Sequence, residues 1–557
     1  MKDRVMSAGA RTVDPIELEI QWSRLIAIMD EVDAAVARTA FSTIVGESRD
    51  FGVVMLDRHG RSLAQSQLST PAFTITLPMT CKHLLIAHPE ETLRPGDVLI
   101  TNDPWLGSGH LPDLTICTPV FQRGQVAGFI GCVAHISDIG GRSDYLDDKE
   151  LFEEGLRIPP TLLMREGKPV DVLFKIIEAN VRVPRMVVGD IHALIGAEKL
   201  GAERLIEFLA DYGLDTLDTI ADEIVSRSDA AMRAAVAALP RGTYRATLDG
   251  DGHRTPVHIE VAVTIGDGKV RVDFTGSSPE QFDSSINCVM NTTFSDTYYP
   301  FKCSLLPGLP NNEGSFRFLD VEAPEGSIFN TRFPRAVRAR SKTSFHIHAA
   351  IYAALSGVLG NQVQAASGSF WTLVATGTGP DGETYRAHML PNGGKGANPG
   401  RDGLPTIAFP YNGTITPVEI FENNAPLTII RRELLTDSGG PGQFRGGLGQ
   451  RITFTPATDS VVGMFVRTDK LRYPALGLAG GRAGRAGRLL LNGRDAPLEP
   501  ALLERGDILE IEMPGGGGFG LPERRDSAAL GRDVELGYVG AESAQRDYRG
   551  MSRSLLK

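Results

Sequence analysis

The chain predicts an α+β, β-rich multi-sheet protein: an N-terminal α/β region, a central helical segment and a glycine-rich β C-terminal region. Three observations carry this. Apolar residues recur at helical steps near the N-terminus and again over residues 187–239. From Gly242 the texture changes to strand-like runs such as TYRATLDG, PVHIEVAVTI and KVRVDFTG. The 62 glycines and 34 prolines demand many turns. At 557 residues the chain exceeds one ordinary core. A boundary at Pro240-Arg241-Gly242 and a second before residue 526 divide it into 1–240, 241–525 and a tail, 526–557.

In chain order, Asp14-Pro15-Ile16-Glu17 opens a helix, with Asp as N-cap, Pro at the first helical position and Glu two residues later. Leu18, Trp22, Leu25, Met29, Val32 and Val36 give it one buried face through about Ala40. A hairpin follows, with Asp57-Arg58-His59-Gly60 as its turn. LSTPAFTITLPMTCKHLLIAH leads into a short helix carrying His83 and His88, both expected on a solvated face. Gly96-Asp97 opens the strand VLIT, which delivers Asn102-Asp103 into a loop.

That loop begins the most polar stretch of the chain. Asp103, His110, Asp113, His135 and Asp138 lie between Asn102 and Gly141, among Gly, Pro and Trp. Pro112, Gly107 and Gly109 place His110 and Asp113 on a loop. Leu114 to Phe121 and Gln125 to His135 read as strands joined at Arg123-Gly124. A hairpin so closed returns His135 to the neighbourhood of Asp113. Two imidazoles and a carboxylate then form an N,N,O set suited to one divalent transition metal, Zn, Mn or Fe, with positions left open. Asp103 and Asp138 flank the set as supporting residues. Taken singly, an Asp after Pro is commonly a turn residue and a strand-end His a satisfied polar one, so the convergence carries the metal reading.

Further on, two helices span about Val187 to Tyr212 and Thr216 to Leu239, separated by Gly213 and Leu214 in the pattern of a Schellman stop. Asp249, Asp251 and Glu260 occupy calcium-loop positions, but Arg254 stands where the loop needs glycine, so the run is a β-turn. Val289 to Leu306 and Ser344 to Leu359 read as helices. His346 and His348, two apart on the second, do not share a metal. Neither Arg340-Ser341-Lys342-Thr343 nor Asn392-Gly393-Gly394-Lys395-Gly396 is a phosphate loop. The runs PNGGKGANPGRDG, DSGGPGQFRGGLGQ, LGLAGGRAGRAGR and PGGGGFG are expected as ordered tight turns in a β domain, and the arginines of the third leave an anion cradle open.

A net charge of −11 without a basic block argues against nucleic acid and anionic membrane as partners. Five cysteines without a CxxC pair fit a reducing cytoplasm. MKDRVMSAGARTVDP lacks the apolar core of an export signal, and no run of about 18 apolar residues occurs.

SRDFGVVMLDRHGRSLAQS, GDVLITNDPWLGSGHLPDLTICTPVF, HISDIGG, EEGLRIPP, VDFTGSSPEQFDSSIN, DSGGPGQFRGGLG and PGGGGFGLPERRD together resemble the hydantoinase B family, the second subunit of ATP-dependent hydantoinases and oxoprolinases, related to the alpha subunit of acetone carboxylase. The resemblance spans nearly the whole chain. It implies that His110, Asp113 and His135 are metal ligands and that Asp50, in SRDFG, is a further carboxylate at that metal. It also implies a hetero-oligomer in which an A-type subunit binds ATP and activates a small-molecule substrate. The expected reaction is opening of a cyclic amide. Ketone carboxylation and a purely structural metal are the alternatives. The chain departs from the family at LAQSQLSTPAFTITLP, where many members carry histidines: Leu68, Pro71, Phe73 and Thr74 make the segment apolar or hydroxylic and imply a different pocket.

Overall fold

The computed structural model describes residues 14–548 except 380–381, 408 and 498–499. The expectations for residues 1–13 and for 549–557 of the tail lie outside them. Asp14 caps the first helix, α1 (Pro15–Thr39), by accepting the Ile16 and Glu17 backbone N–H groups. The whole face predicted for α1 is buried.

Seven strands form the first sheet: β1 (Phe51–Asp57), β2 (Ser62–Gln65), β3 (Val98–Thr101), β4 (Asp113–Gln122), β5 (Gln125–His135), β6 (Thr161–Arg165) and β7 (Lys168–Pro169). Their order is β2-β1-β5-β4-β3-β6-β7, every pair antiparallel. The sheet is covered on both faces, so its inner strands are apolar without alternation. Val53 and Met55 face α1, whereas Val54 and Leu56 face α3 (Pro71–Ala87), which follows the single turn α2 (Thr43–Gly46). The helix α3 is longer than expected and contains Pro78. Within it the Thr76 and Thr80 hydroxyls bond back to the Ala72 and Thr76 carbonyls at 3.1 and 2.9 Å, and both side chains are buried.

After α4 (Leu151–Glu154) and α5 (Asp171–Asn180), the central helices are α6 (Pro184–Tyr212) and α7 (Asp218–Ala237). Gly213 takes φ 65° and the Leu214 N–H reaches back to Leu209 O at 2.8 Å, the Schellman closure expected there. The second sheet, β8 (Gly242–Gly250), β9 (Val257–Gly266), β10 (Lys269–Asp273) and β11 (Leu319–Glu322), packs against α8 (Met290–Leu305) and α10 (His346–Ala354). The single turn α9 (Ser341–Ser344) precedes α10, which stops short of the predicted Leu359, since Ser356, Gly357 and Gly360 are poor helix formers.

Nine strands complete the fold: β12 (Thr372–Thr378), β13 (Thr384–Met389), β14 (Leu427–Leu434), β15 (Gln450–Pro456), β16 (Val462–Arg467), β17 (Arg488–Leu491), β18 (Arg494–Asp495), β19 (Ala501–Leu503) and β20 (Leu509–Glu512). They form two sheets, β13-β12-β16-β19 and β14-β15-β20-β17-β18, with Trp371, Met389, Met464, Phe454 and Ile511 buried between them. Among the described residues no helix is long and apolar enough to cross a membrane.

The glycine-rich runs contain tight turns at residues 398–401 and 478–481, but most of their length is not turn. They lie alongside one another and bond backbone to backbone: Gly394 N–H to Pro514 O at 3.0 Å, Gly516 to Gly447 O at 2.9 Å, Gly440 to Gly516 O at 2.8 Å. A Cβ on Gly447 would stand 2.0 Å from Leu404 O, so the need here is close backbone approach. Nor are the runs an anion cradle. Many of these N–H groups are spent on carbonyls, and Arg482 and Arg485 pair with Asp547 and Glu512 at 3.0 and 2.6 Å.

This packing has two measurable consequences. Gly447→Ala should cost more than about 3 kcal/mol, read from urea unfolding, whereas Gly308→Ala, with open space around it, should stay within about 0.5 kcal/mol of the parent. Comparable midpoints for the two would contradict the close-approach reading. The second concerns Glu198 on α6. Burial pushes its carboxyl from 4.5 up to about 8, and its partner is the Thr118 hydroxyl at 2.5 Å. The folded chain holds this proton between those values while the unfolded chain has released it, so stability falls as pH rises through that window. Glu198→Gln should flatten the slope of unfolding free energy between about pH 5 and 8; a slope identical to the parent's would refute the assignment.

Candidate functional site

The hairpin of β4 and β5 places Asp113 directly opposite His135. Its turn, Arg123-Gly124, has both residues at positive φ, 49° and 85°, as a two-residue hairpin loop requires. His110 reaches the pair from the preceding loop. Gly109 makes this approach with φ 96°, and a Cβ there would fall 2.0 Å from Thr292 Oγ1. The three side chains converge: His110 Nε2 to Asp113 Oδ1 is 2.5 Å, His135 Nδ1 to Asp113 Oδ1 is 3.1 Å, and the two imidazole nitrogens are 3.2 Å apart. Asp50, entering β1, lines the same cavity beside His135 without joining these short contacts.

The surrounding bonds fix the chemistry of the trio. His110 Nδ1 lies 2.9 Å from the Arg338 carbonyl, which can only accept, so Nδ1 carries the proton. Burial, with Arg340 adding to it, pushes His110 down to about 3, leaving the ring neutral and Nε2 a lone pair. Asp113 is buried, yet His110 and Arg340 hold it below the usual carboxylate range, and Arg340 Nη2 donates to its Oδ2 at 2.7 Å. A lone pair therefore faces a carboxylate oxygen across 2.5 Å. A proton shared between the two atoms or a cation held against both satisfies that contact, and two nitrogens with one oxygen suit a divalent transition metal. Burial pushes Asp50 up to about 6, against the attraction of His135.

Asp103 and Asp138 do not enter the cluster. They clamp its loops instead: Asp103 pairs with Arg157 at 2.6 Å, and Asp138 takes the Arg182 backbone N–H at 2.5 Å and guanidinium at 2.9 Å. Asn102 completes the clamp by donating to Leu111 and Leu156 carbonyls at 2.8 and 2.9 Å. Glu154, in the EEGLRIPP stretch, accepts the Val337 and Arg338 N–H groups at 2.7 and 2.6 Å, and so holds the segment that carries Arg338 and Arg340. Burial pushes this carboxyl up to about 8. His346 and His348 point apart, toward Asp469 and Asp296 at 3.7 and 3.8 Å. Asp251 accepts the Leu471, Arg472 and Tyr473 N–H groups, a structural role in place of calcium.

The cavity over the trio has room of about 110 Å³ for water-sized molecules. Thr70, Ala72, Phe73 and Thr76, around the start of α3, form one wall, whereas Leu68 is exposed and takes no part. The far wall comes from residues beyond 240: Arg338, Arg386, His388 and Arg467, with Phe370 and Tyr411. None of these was anticipated from sequence. The available signal was Arg386 and His388 alternating on β13 with Ala387 and Met389, which pack into the sandwich core.

Residues 14–522 match the hydantoinase B/oxoprolinase family. The chain is 30% identical to a protein of Pseudomonas sp. strain NS671 assigned as the B component of a D-/L-hydantoinase, over 97% of this chain and 95% of that one. It is 29% identical to the beta chain of the caprolactamase of Pseudomonas jessenii, over 96% of each. The crystal structure of the ATP-dependent caprolactamase from that organism superimposes with a TM-score of 0.88 at 27% identity, covering 98% of this chain and 97% of that chain. Nucleotide-free acetone carboxylase shares the fold, with a TM-score of 0.85 at 22% identity over 96% and 79% of the two chains. Matched along nearly its full length by sequence, the chain belongs to the hydantoinase B/oxoprolinase family.

Proposed function

We propose that this chain is the metal-containing subunit of an ATP-dependent enzyme that opens a cyclic amide, working in a hetero-oligomer with an A-type subunit that binds ATP. The observation that carries the reading is the convergence of His110 Nε2, Asp113 Oδ1 and His135 Nδ1 within 3.2 Å of one another in the lining of a cavity, with His110 Nδ1 tied to the Arg338 carbonyl. His110, Asp113 and His135 hold the ion, and Asp50 is the further carboxylate beside it. Zinc, manganese or iron bound there supplies Lewis acidity and activates water near neutral pH.

The rest is the work of this chain's own residues. The Arg338 carbonyl fixes the tautomer of His110 by taking its Nδ1 proton in a hydrogen bond. Arg340 occupies Asp113 Oδ2 and turns Oδ1 toward the imidazoles. Phe73, Phe370 and Tyr411 give the cavity apolar wall, which orients a ring and limits competing water. An amide resists water because of its resonance, so activation of its oxygen by a phosphoryl group must come first. With no phosphate-loop motif in this sequence, that step falls to the partner, in keeping with relatives named as the B or beta component of their enzymes.

His110→Ala and His135→Ala should each purify folded and lose most bound metal by elemental analysis. Arg340→Met should weaken metal affinity by about ten- to a hundredfold. Wild-type metal content in both histidine variants would remove the assignment. For the reaction, the complex with its ATP-binding partner should turn over ATP with a cyclic amide in bicarbonate-free buffer and place oxygen from labelled water in the new carboxylate. Labelled carbon passing from bicarbonate into an acid-stable product, without solvent oxygen entering any cyclic amide tested, would assign carboxylation instead.

A further inference from the structure

Three arginines in the far wall of the cavity are buried and have no carboxylate partner within ion-pair distance among the described residues. Arg338, Arg386 and Arg467 are 7, 4 and 3% exposed. Their hydrogen bonds go to neutral oxygens. Arg386 Nε donates to Ser137 O at 3.0 Å, and its Nη1 has no partner. Arg467 donates to Ser341 Oγ at 2.8 Å and Thr372 Oγ1 at 3.2 Å, with its guanidinium 4.9 Å from the Phe370 ring centre. Arg338 donates to Glu154 and Arg142 carbonyls at 3.2 and 3.3 Å, over the Tyr145 ring.

The acids nearby are already engaged. Asp138 pairs with Arg182, and Asp113 with Arg340. Burial pushes Glu154 up to about 8, so it is protonated at neutrality, and its Oε1 already takes two backbone N–H groups. Asp296 faces His348 at 3.8 Å, Asp50 lies beside His135, Asp148 lies 3.5 Å from Arg142 and is pushed up to about 7 by burial, and Asp469 faces His346 at 3.7 Å with Lys470 and Lys342 close by. Burial with Arg338 nearby brings Arg386 down only to about 10, so it stays charged. Three cations kept from water beside a site that itself attracts a divalent ion need a negative charge in the space between them. Guanidinium forks match the planar oxygens of a carboxylate or the faces of a phosphoryl group.

We propose that Arg386, Arg467 and Arg338 form an anion subsite that receives one carboxylate or phosphoryl group of the substrate, in the cavity they share with His110, Asp113 and His135. Naming the ligand as a substrate rests on the ring-opening reading; the subsite itself does not. A carboxylate would belong to the ring being opened, whereas a phosphoryl group would be the activating group delivered with it.

Calorimetric titration of the purified chain with inorganic phosphate, 5-oxoproline and the neutral lactam 2-pyrrolidone tests this without turnover. The parent should bind phosphate or 5-oxoproline. Arg386→Met and Arg467→Met, compared at equal metal content, should weaken that binding by about ten- to a hundredfold and leave 2-pyrrolidone unchanged. Binding of phosphate alone identifies the phosphoryl group, and binding of 5-oxoproline alone the carboxylate. No binding of either anion by the parent, or equal binding by parent and variants, overturns the subsite. Should the variants not fold, protection of Arg386 and Arg467 in the parent from phenylglyoxal by the same two anions decides it, and absence of protection by both is the refuting result. A failure to open any lactam would leave all these readouts standing.

Discussion

The placement of Asp113 across from His135 is the constraint on which the site depends. Side chains on a strand alternate faces, so a slip of one residue between β4 and β5 would send Asp113 away from the cavity. The register is held by the two positive-φ residues of the Arg123-Gly124 turn, at the opposite end of the hairpin, and by burial of the sheet on both faces. Asp113 then performs two jobs with its two oxygens, Oδ1 toward the imidazoles and Oδ2 toward Arg340. Through Arg340 the first sheet is joined to the segment between β11 and α9, and the segment is itself fixed by Glu154, Ser285 and Asn287.

The electrostatics of the cavity follow from that joint. One cavity holds the imidazoles and carboxylates of the β4–β5 region together with guanidinium groups from beyond residue 330, and Arg340 is joined directly to Asp113. Unlike charges held in one space favour a ligand that carries unlike ends. On the proposed reading, the charges this cavity lacks come from outside the chain: a cation at His110, Asp113 and His135, and an anion at the arginines.

Much of this was legible in the sequence where function and hairpin share one stretch. His110, Asp113 and His135 lie close in sequence, and the turn between them is written in Arg123-Gly124, so convergence follows from local rules. The arginines were not legible because their cavity is closed by strands far along the chain. Arg386 and His388 alternate with apolar neighbours, a pattern that reads as a strand with one wet face. That face turns instead toward a buried space. The supporting aspartates show the converse: Asp103 and Asp138 sit within the polar stretch, yet each is consumed by an arginine supplied from elsewhere, Arg157 and Arg182, which adjacency cannot reveal. The change of texture at residue 240 is real in the elements, with α7 ending at Ala237 and β8 starting at Gly242, but the core does not respect it, since Ile75, Tyr145 and Leu146 pack with β9 and α10.

The glycine-rich segments carry a different kind of consequence. Where side chains are absent, no interdigitated surface tells one segment which neighbour to choose, and alignment rests on backbone hydrogen bonds alone. Gly394 meets Pro514, and Gly447 meets both Lys395 and Gly516, so the partners come from distant parts of the chain. Glycine also surrenders more conformational freedom on ordering than any other residue. Ordering one segment without the others therefore gains little, and the set should assemble late and together, after most of the chain is present. Because Arg386 on β13 and Arg467 on β16 belong to the sheets that these segments connect, their wall of the cavity should take its shape only at that final step.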